Sequence, residues 1–351
     1  FSLKNIFDKS TWSPLPSGDG QRISIRAQTN GSFFQNYSFS FTEPWLGGKK
    51  PNSLNFSAYN SIQDYSTDDV ENRLDIIGIN LGLGKRLRWP DDYFTMSQSI
   101  SVQQYKLKNR QLVPGFSNGI SKNISYRTTF SRSSIFDPIF PKTGSQFTFI
   151  GHFTPPYSLF NKKDYSTMTL NEKYEWLEYF KIKLNGTWYA NPFADLVIKT
   201  HSAFGFLMDY NSEVGLPPFE RFFVGGDGLM GFNMDGREVI GLRGYANNSL
   251  SQHLIAGGSI YSKYTLELRY PLSLNPNSTI YATGFAEAGN AWGSFSDFNP
   301  FEVKRSLGFG IRIFMPMFGL LGFDFAHGYD PIPGSTQKSG WQTHFSIGQQ
   351  F

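Results

Sequence analysis

The chain has 351 residues, with 32 Lys and Arg against 28 Asp and Glu, a formal charge of +4. Only 17% of residues are charged, while Gly and Phe number 35 each and Tyr 18; such a composition, rich in aromatics and turn formers, excludes a coiled coil, a helical bundle and a charge-rich disordered chain. Cysteine is absent, which excludes a disulfide scaffold, a thiolate metal site and a cysteine nucleophile, and no basic run points to nucleic acid.

Residue 1 is Phe and no signal-like segment follows, as expected of a processed chain or a fragment. From there, segments with a period of two recur along the chain and predict strands near 22–29, 35–42, 53–60, 72–86, 93–107, 120–132, 145–154, 173–188, 195–208, 258–270, 279–292, 304–315, 319–328 and 341–351, with Phe1 to Asn5 as the stub of one more. Ile23, Ile25 and Ala27 alternate with Ser24, Arg26 and Gln28. Tyr264, Leu266, Leu268 and Tyr270 alternate with Lys263, Thr265, Glu267 and Arg269, and Leu307, Phe309, Ile311 and Ile313 with Ser306, Gly308, Gly310 and Arg312. Asn275-Pro276-Asn277 and Phe318-Gly319 read as turns.

A membrane-spanning helix needs about 18 apolar residues in a row. The longest apolar stretch, Ile313 to Phe323, is shorter and holds Pro316 and two glycines. The remaining way to satisfy every backbone group in lipid is a closed β-barrel. Alternation alone does not choose between a lipid-facing barrel and a soluble sandwich core. Two features favour the barrel: long segments such as Asp75 to Leu87 and Trp176 to Trp188, and aromatics at segment ends (Trp45, Trp89, Trp188, Trp292, Trp341), where a girdle requires them. The expectation is one all-β domain over 1–351, a transmembrane antiparallel barrel of about 16 strands, about 15 of them represented here.

The stretch Asp209 to Gly257 breaks the pattern. It is rich in Gly, includes Gly225-Gly226-Asp227-Gly228 and Gly241-Leu242-Arg243-Gly244-Tyr245, and reads as a long structureless insertion, either functional or disordered, with a loop over 209–257 folded into the lumen as the expectation. No chemistry-bearing motif stands out. No two of the five histidines lie within metal-ligand spacing, no HExxH or G-x-S-x-G occurs, and the glycine run lacks the Lys-Ser/Thr of a phosphate loop; no metal, cofactor or enzymatic role is expected. Glu267 lies on the polar side of its strand. Glu287 shares its face with Tyr281, Thr283 and Phe285, so its inward placement is the weaker inference. Both are either solvated lumen carboxylates or acceptors for a guanidinium on the long loop, for which Arg243, flanked by glycines, is the candidate.

In chain order, several motifs resemble those of the BamA-type factors that assemble β-barrel proteins in the bacterial outer membrane. Thr42-Glu43-Pro44-Trp45-Leu46 resembles the family's strand-end motif, and Asp137-Pro138 with Phe140-Pro141-Lys142-Thr143-Gly144 resembles its mid-barrel turn. Phe222-Phe223-Val224-Gly225-Gly226 resembles the start of the sixth extracellular loop and Leu242-Arg243-Gly244-Tyr245 its Val-Arg-Gly-Phe tip. His344 to Phe351, with Phe345, Ile347, Gly348 and Phe351, resembles the closing strand. The chain departs from the family in an insertion, Asp227 to Ile240, in a second candidate tip, Gly231-Phe232, and in Glu at 287 where Asp is common.

The resemblance implies a Gram-negative outer-membrane barrel, its first strand and POTRA domains lying outside this sequence. It implies a loop-tip lock of Arg243, Gly244 and Tyr245 on Glu267 and Glu287, and insertion of client strands at a lateral gate between first and last strands. The implied partners are unfolded outer-membrane proteins, accessory lipoproteins and the lipid bilayer. A two-partner-secretion polypeptide transporter and a passive porin are the alternatives.

Overall fold

The computed structural model describes residues 20–348 apart from 49–51, 68, 229–236, 252, 255, 276 and 317–318. The expected stub at Phe1 to Asn5, the turn residues Pro276 and Phe318, the second candidate tip Gly231-Phe232 and the terminal Phe351 lie outside the described residues.

Fourteen long strands form one sheet in the order β1-β2-β3-β4-β5-β6-β7-β8-β9-β12-β13-β14-β15-β16. These are β1 (Arg22–Asn30), β2 (Phe34–Glu43), β3 (Asn52–Asp64), β4 (Arg73–Arg86), β5 (Phe94–Lys108), β6 (Gly119–Ser133), β7 (Gly144–Phe153), β8 (Phe180–Phe193) and β9 (Leu196–Met208), then β12 (Ile260–Asn275), β13 (Ser278–Trp292), β14 (Lys304–Met315), β15 (Gly319–Pro331) and β16 (Lys338–Ile347). Between β9 and β12, two three-residue strands, β10 (Phe222–Val224) and β11 (Glu238–Ile240), pair in parallel. Neighbours in the long sheet run antiparallel wherever their register is resolved, as in Glu267↔Phe285 and Phe285↔Gly308. With 9 to 16 residues each, the strands match or exceed the roughly 9–11 residues that cross a bilayer. Among the described residues, no helix is long and apolar enough to cross a membrane.

Burial decides what alternation left open. Along β12, Lys263, Thr265, Glu267 and Arg269 are buried while Leu266, Leu268 and Tyr270 are exposed. On β14, Ser306 and Arg312 are buried and Leu307 and Phe309 exposed; on β15, Asp324 is buried and Phe323 and Phe325 exposed. Water-soluble proteins bury the apolar face and leave charges outside. Here the sheet is inside out, as lipid on the outer face demands.

Contacts divide the chain into two compact units. One comprises Phe1–Phe130, Ile150–Phe180 and Asp209–Pro217; the other Ser131–Phe149, Lys181–Met208 and Pro218–Phe351. Within the first, two helical turns, α1 (Tyr157–Asn161) and α2 (Leu170–Lys173), replace the expected start of the eighth strand. A capping box between Thr169 and Glu172 starts α2, and the Glu178 carboxylate accepts bonds from the Ser158 amide (2.7 Å) and hydroxyl (2.5 Å). These local bonds compete with extension, so β8 begins at Phe180 rather than 173.

Two further expectations are corrected in the second unit. Trp292 is only 6% exposed, stacks edge-on against Phe298 and does not belong to an outer girdle, unlike Trp45, Trp89, Trp188 and Trp341. The 209–257 stretch is not structureless. Beyond β10 and β11, it buries Phe222, Val224, Leu242, Tyr245 and Leu250 completely.

Candidate functional site

The loop tip meets the buried face of β12 to β15. β12 presents Glu267 and β13 presents Glu287; strand register sets them two rungs apart on the same face, because Glu267 pairs with Phe285 and Glu287 with Thr265. Arg243 is fully buried between them. Its Nη2 donates to Glu267 Oε2 at 3.0 Å and to Glu287 Oε1 at 2.8 Å, and its backbone N–H donates to Glu287 Oε2 at 2.8 Å. The guanidinium carbon lies over the Phe285 ring, 3.4 Å from its centroid, a cation–π contact. That explains why an aromatic shares the inward face of Glu287: Phe285 is the platform for the arginine. Tyr281 packs against Phe140.

Other charges complete the cluster. Arg269 Nε donates to Glu267 Oε1 at 2.6 Å, Thr265 Oγ1 to Glu287 Oε1 at 3.2 Å, and Lys263 Nζ lies 3.6 Å from the same oxygen. Asp324 accepts two bonds of 2.8 Å from Arg312 and stands 3.5 Å from Arg243 Nη1. Burial disfavours the charge on Arg243, but Glu287, Glu267 and Asp324 outweigh it and hold the guanidinium ionised.

Gly244 allows the tip to turn and approach the wall. Its φ is +87°, and a Cβ there would meet Ser306 Cβ at 2.7 Å and the Gly328 backbone N at 3.2 Å. Its N–H donates to His344 Nε2 (2.9 Å), and its carbonyl accepts from Ser339 Oγ (2.6 Å). Both partners sit on β16, so the tip is fastened to the last strand as well as to β12 and β13. Tyr245 donates its hydroxyl to the Arg305 carbonyl at 2.9 Å, and burial raises its phenol to about 12. Upstream, Glu238 ties the loop to β8 through Lys183 (2.6 Å) and Lys181 (2.9 Å). Burial opposes ionisation of Glu238, but the two ammonium groups prevail and hold its carboxyl at about 2.

The structure thus brings together Arg243, Gly244, Tyr245, Glu267 and Glu287. Sequence reasoning missed His344 and Ser339 as partners of the tip. It placed Arg312 on the polar face of its strand but had no means of pairing it with Asp324, which lies two rungs away on β15.

The remaining expected residues are elsewhere. At the end of β2, Glu43 accepts from the Trp45 amide at 3.1 Å and closes the turn through Pro44, leaving Trp45 half exposed. In the mid-barrel turn, Asp137 Oδ1 accepts from the Ile139 and Phe140 amides (2.9 and 3.1 Å) and directs Phe140 into a cluster with Tyr189, Val197, Tyr281 and Leu320. Thr143 is exposed. Gly144 has φ +111°, and a Cβ there would lie 2.5 Å from the Ser134 carbonyl oxygen. On β16, Phe345 packs at a tilt against Phe323 on the outer face, Ile347 is exposed, and the Gly348 amide donates to the Leu320 carbonyl at 2.7 Å.

The Omp85 superfamily domain matches residues 17–351. No curated protein matches the chain. Among solved structures, the fold is similar to that of BamA from Haemophilus ducreyi lacking POTRA domains 1-3, at a TM-score of 0.66 and 17% identity, over 93% of this chain and 64% of that one. It is also similar to CdiB from Escherichia coli, at a TM-score of 0.55 and 12% identity, over 90% of this chain and 52% of the other. The chain therefore spans less than two-thirds of the length of either, and at such identities the likeness is one of fold.

Proposed function

Because the chain belongs to the Omp85 superfamily, we propose that it inserts β-barrel proteins into the bacterial outer membrane as a BamA-type factor, through a lateral gate between the first and last strands of its barrel. The observation that carries this reading is the loop tip fastened to β16, the last strand: the Gly244 N–H donates to His344 and its carbonyl accepts from Ser339. A seam beside that strand is a template for a further strand. A client strand adds to it by main-chain hydrogen bonding, which gives affinity without demanding a particular client sequence.

The loop-tip lock complements that seam. Arg243 on Glu267 and Glu287, and Gly244 on His344 and Ser339, hold β12 to β16 in one arrangement while strands are exchanged. Neither a nucleotide nor a catalytic residue enters the scheme; pairing and burial of the client supply the driving force. The partners are unfolded outer-membrane proteins and the accessory lipoproteins of an assembly complex, with the bilayer as the medium.

The natural absence of cysteine makes a direct test simple. With Ile347→Cys on the exposed side of β16 as the sole thiol, mild oxidation in the presence of a client bearing one cysteine in a terminal strand is expected to trap a disulfide-linked adduct. Trapping at Thr283→Cys on the inner face, with none at Ile347→Cys, would instead mark a polypeptide transporter that passes its cargo through the interior.

A further inference from the structure

In the first unit, the outer face of β4 shows where the apolar layer ends. By parity Asp75, Ile77, Ile79, Leu81, Leu83 and Lys85 lie on that face. The aliphatic side chains are each about half exposed, and a charge stands at either end of their row. At one end Arg73 Nε meets Asp75 at 2.6 Å. The other end is basic and aromatic. Lys85 is followed by Arg86, Arg88 and Trp89 in the turn to β5, all of them exposed, Trp89 to 83%. Together with Asn52 of β3 and Asp92 they line a groove of about 540 Å3. Lys85 pairs with Asn52 on one side and Met96 on the other, so Asn52 and Lys85 share the outer face and the groove adjoins the lipid-facing row.

Local bonds hold the turn in this form. The Leu87 amide donates to the Phe94 carbonyl at 2.8 Å, Arg86 Nε to the Asp92 carbonyl at 2.6 Å, and the Tyr93 amide to Asp91 Oδ1 at 2.9 Å. Arg86 is thus anchored on a main-chain oxygen. Three of the lining residues are cationic and one, Asp92, is acidic. Being exposed, these charges need no counter-ion to be stable in water; what they supply is attraction for an anionic lipid surface. Lys and Arg lay their methylene stems along apolar surface and keep the charged head at the water boundary, the depth that Trp also prefers.

We propose that this groove binds the headgroup of an anionic phospholipid, with the phosphate on Lys85 and Arg88 beside the Trp89 ring and the acyl chains along Ile77 to Leu83. A guanidinium offers a phosphate two parallel donors and an ammonium a compact charge, and the Asn52 amide adds a neutral donor. A headgroup that carries its own cation offsets this attraction, so the groove selects lipids by net charge. The inference rests on the sheet facing lipid and is independent of which polypeptide the barrel handles.

The test reconstitutes the chain in phosphatidylcholine vesicles containing increasing fractions of brominated phosphatidylglycerol or, in parallel, brominated phosphatidylcholine, whose acyl-chain bromines quench nearby indoles. Subtracting the signal of Trp89→Phe isolates Trp89 among the seven tryptophans. Quenching of Trp89 is expected to reach half its maximum at a several-fold lower fraction of the anionic lipid, in the natural protein and in Lys85→Arg. That difference is expected to vanish when Lys85→Gln and Arg88→Gln are combined. Equal quenching by the two lipids in the natural protein overturns the proposal, as does a preference that survives the double substitution. Millimolar glycerol phosphate in solution is expected to leave the preference intact; its loss would mark a site for a free oxyanion and overturn the lipid assignment.

Discussion

Arg243 is the side chain on which the loop depends. It is fully buried, and each of its carboxylate partners has a second cation or hydroxyl on it: Arg269 on Glu267, Lys263 and Thr265 on Glu287, Arg312 on Asp324. Truncating one member of a buried ionic cluster costs about 3–5 kcal/mol, because the charges left behind are no longer compensated. Here the secondary partners absorb part of that cost, so Arg243→Ala is expected near the lower end, with the loop released and the strands still paired. Limited proteolysis should cut within 237–251 in the variant and not in the natural protein, and the temperature at which the barrel unfolds on a gel should fall. Arg243→Lys is expected to behave more like Ala than like Arg. A single ammonium is a compact charge without the planar fork that bridges two carboxylates over the Phe285 ring. Equal protease resistance in all three proteins would remove the lock from the mechanism.

Among the secondary elements, the inward glycines of β14 and β15 make room for what the other elements bring in. A Cβ at Gly308 would meet the Phe285 ring at 2.5 Å, and one at Gly328 would lie 2.4 Å from the Gly244 carbonyl oxygen. Gly328→Ala is therefore expected to push the loop tip off β15 with the strands still paired, since the nearest obstacle is the loop's backbone, with Ser339 Cβ of β16 next at 2.7 Å. The measurable outcome is protease sensitivity of the Arg243→Ala kind with unchanged strand content by circular dichroism; a protected loop would refute the close approach. Elements were the most legible level of the sequence. A period of two located the fourteen long strands, because each alternation is a property of a single segment. The start of β8 was misplaced because tertiary bonds, Ser158 on Glu178, override a locally extended pattern. The β10–β11 pair was missed because its residues lie 16 positions apart across an irregular stretch. The Arg312–Asp324 pair and the hold of His344 and Ser339 on Gly244 depend on register between strands, which parity within one strand does not encode.

At the scale of the whole molecule, the decisive property is that the sheet is turned inside out, with charges within and Leu, Phe and Tyr without. That arrangement makes a depth-dependent prediction no soluble sandwich shares. Leu268 and Leu274 are both exposed on the outer face of β12, at 45% and 46%, but Leu268 sits in mid-strand, paired with Gly284, and Leu274 one residue from the strand's end. In water, two equally exposed leucines should tolerate arginine about equally. In a bilayer, arginine at the midplane costs about 2–4 kcal/mol and near the interface about 0–1. Leu268→Arg should thus lower the folding free energy in lipid vesicles by a few kcal/mol, read from denaturant titrations, and Leu274→Arg should leave it nearly unchanged. The gap should shrink when folding is measured in short-chain detergent, where the apolar layer is thin and deformable. Should the two variants cost the same in vesicles, the exposed face of β12 is not facing hydrocarbon, and the inverted burial of the sheet would have to be explained without a membrane.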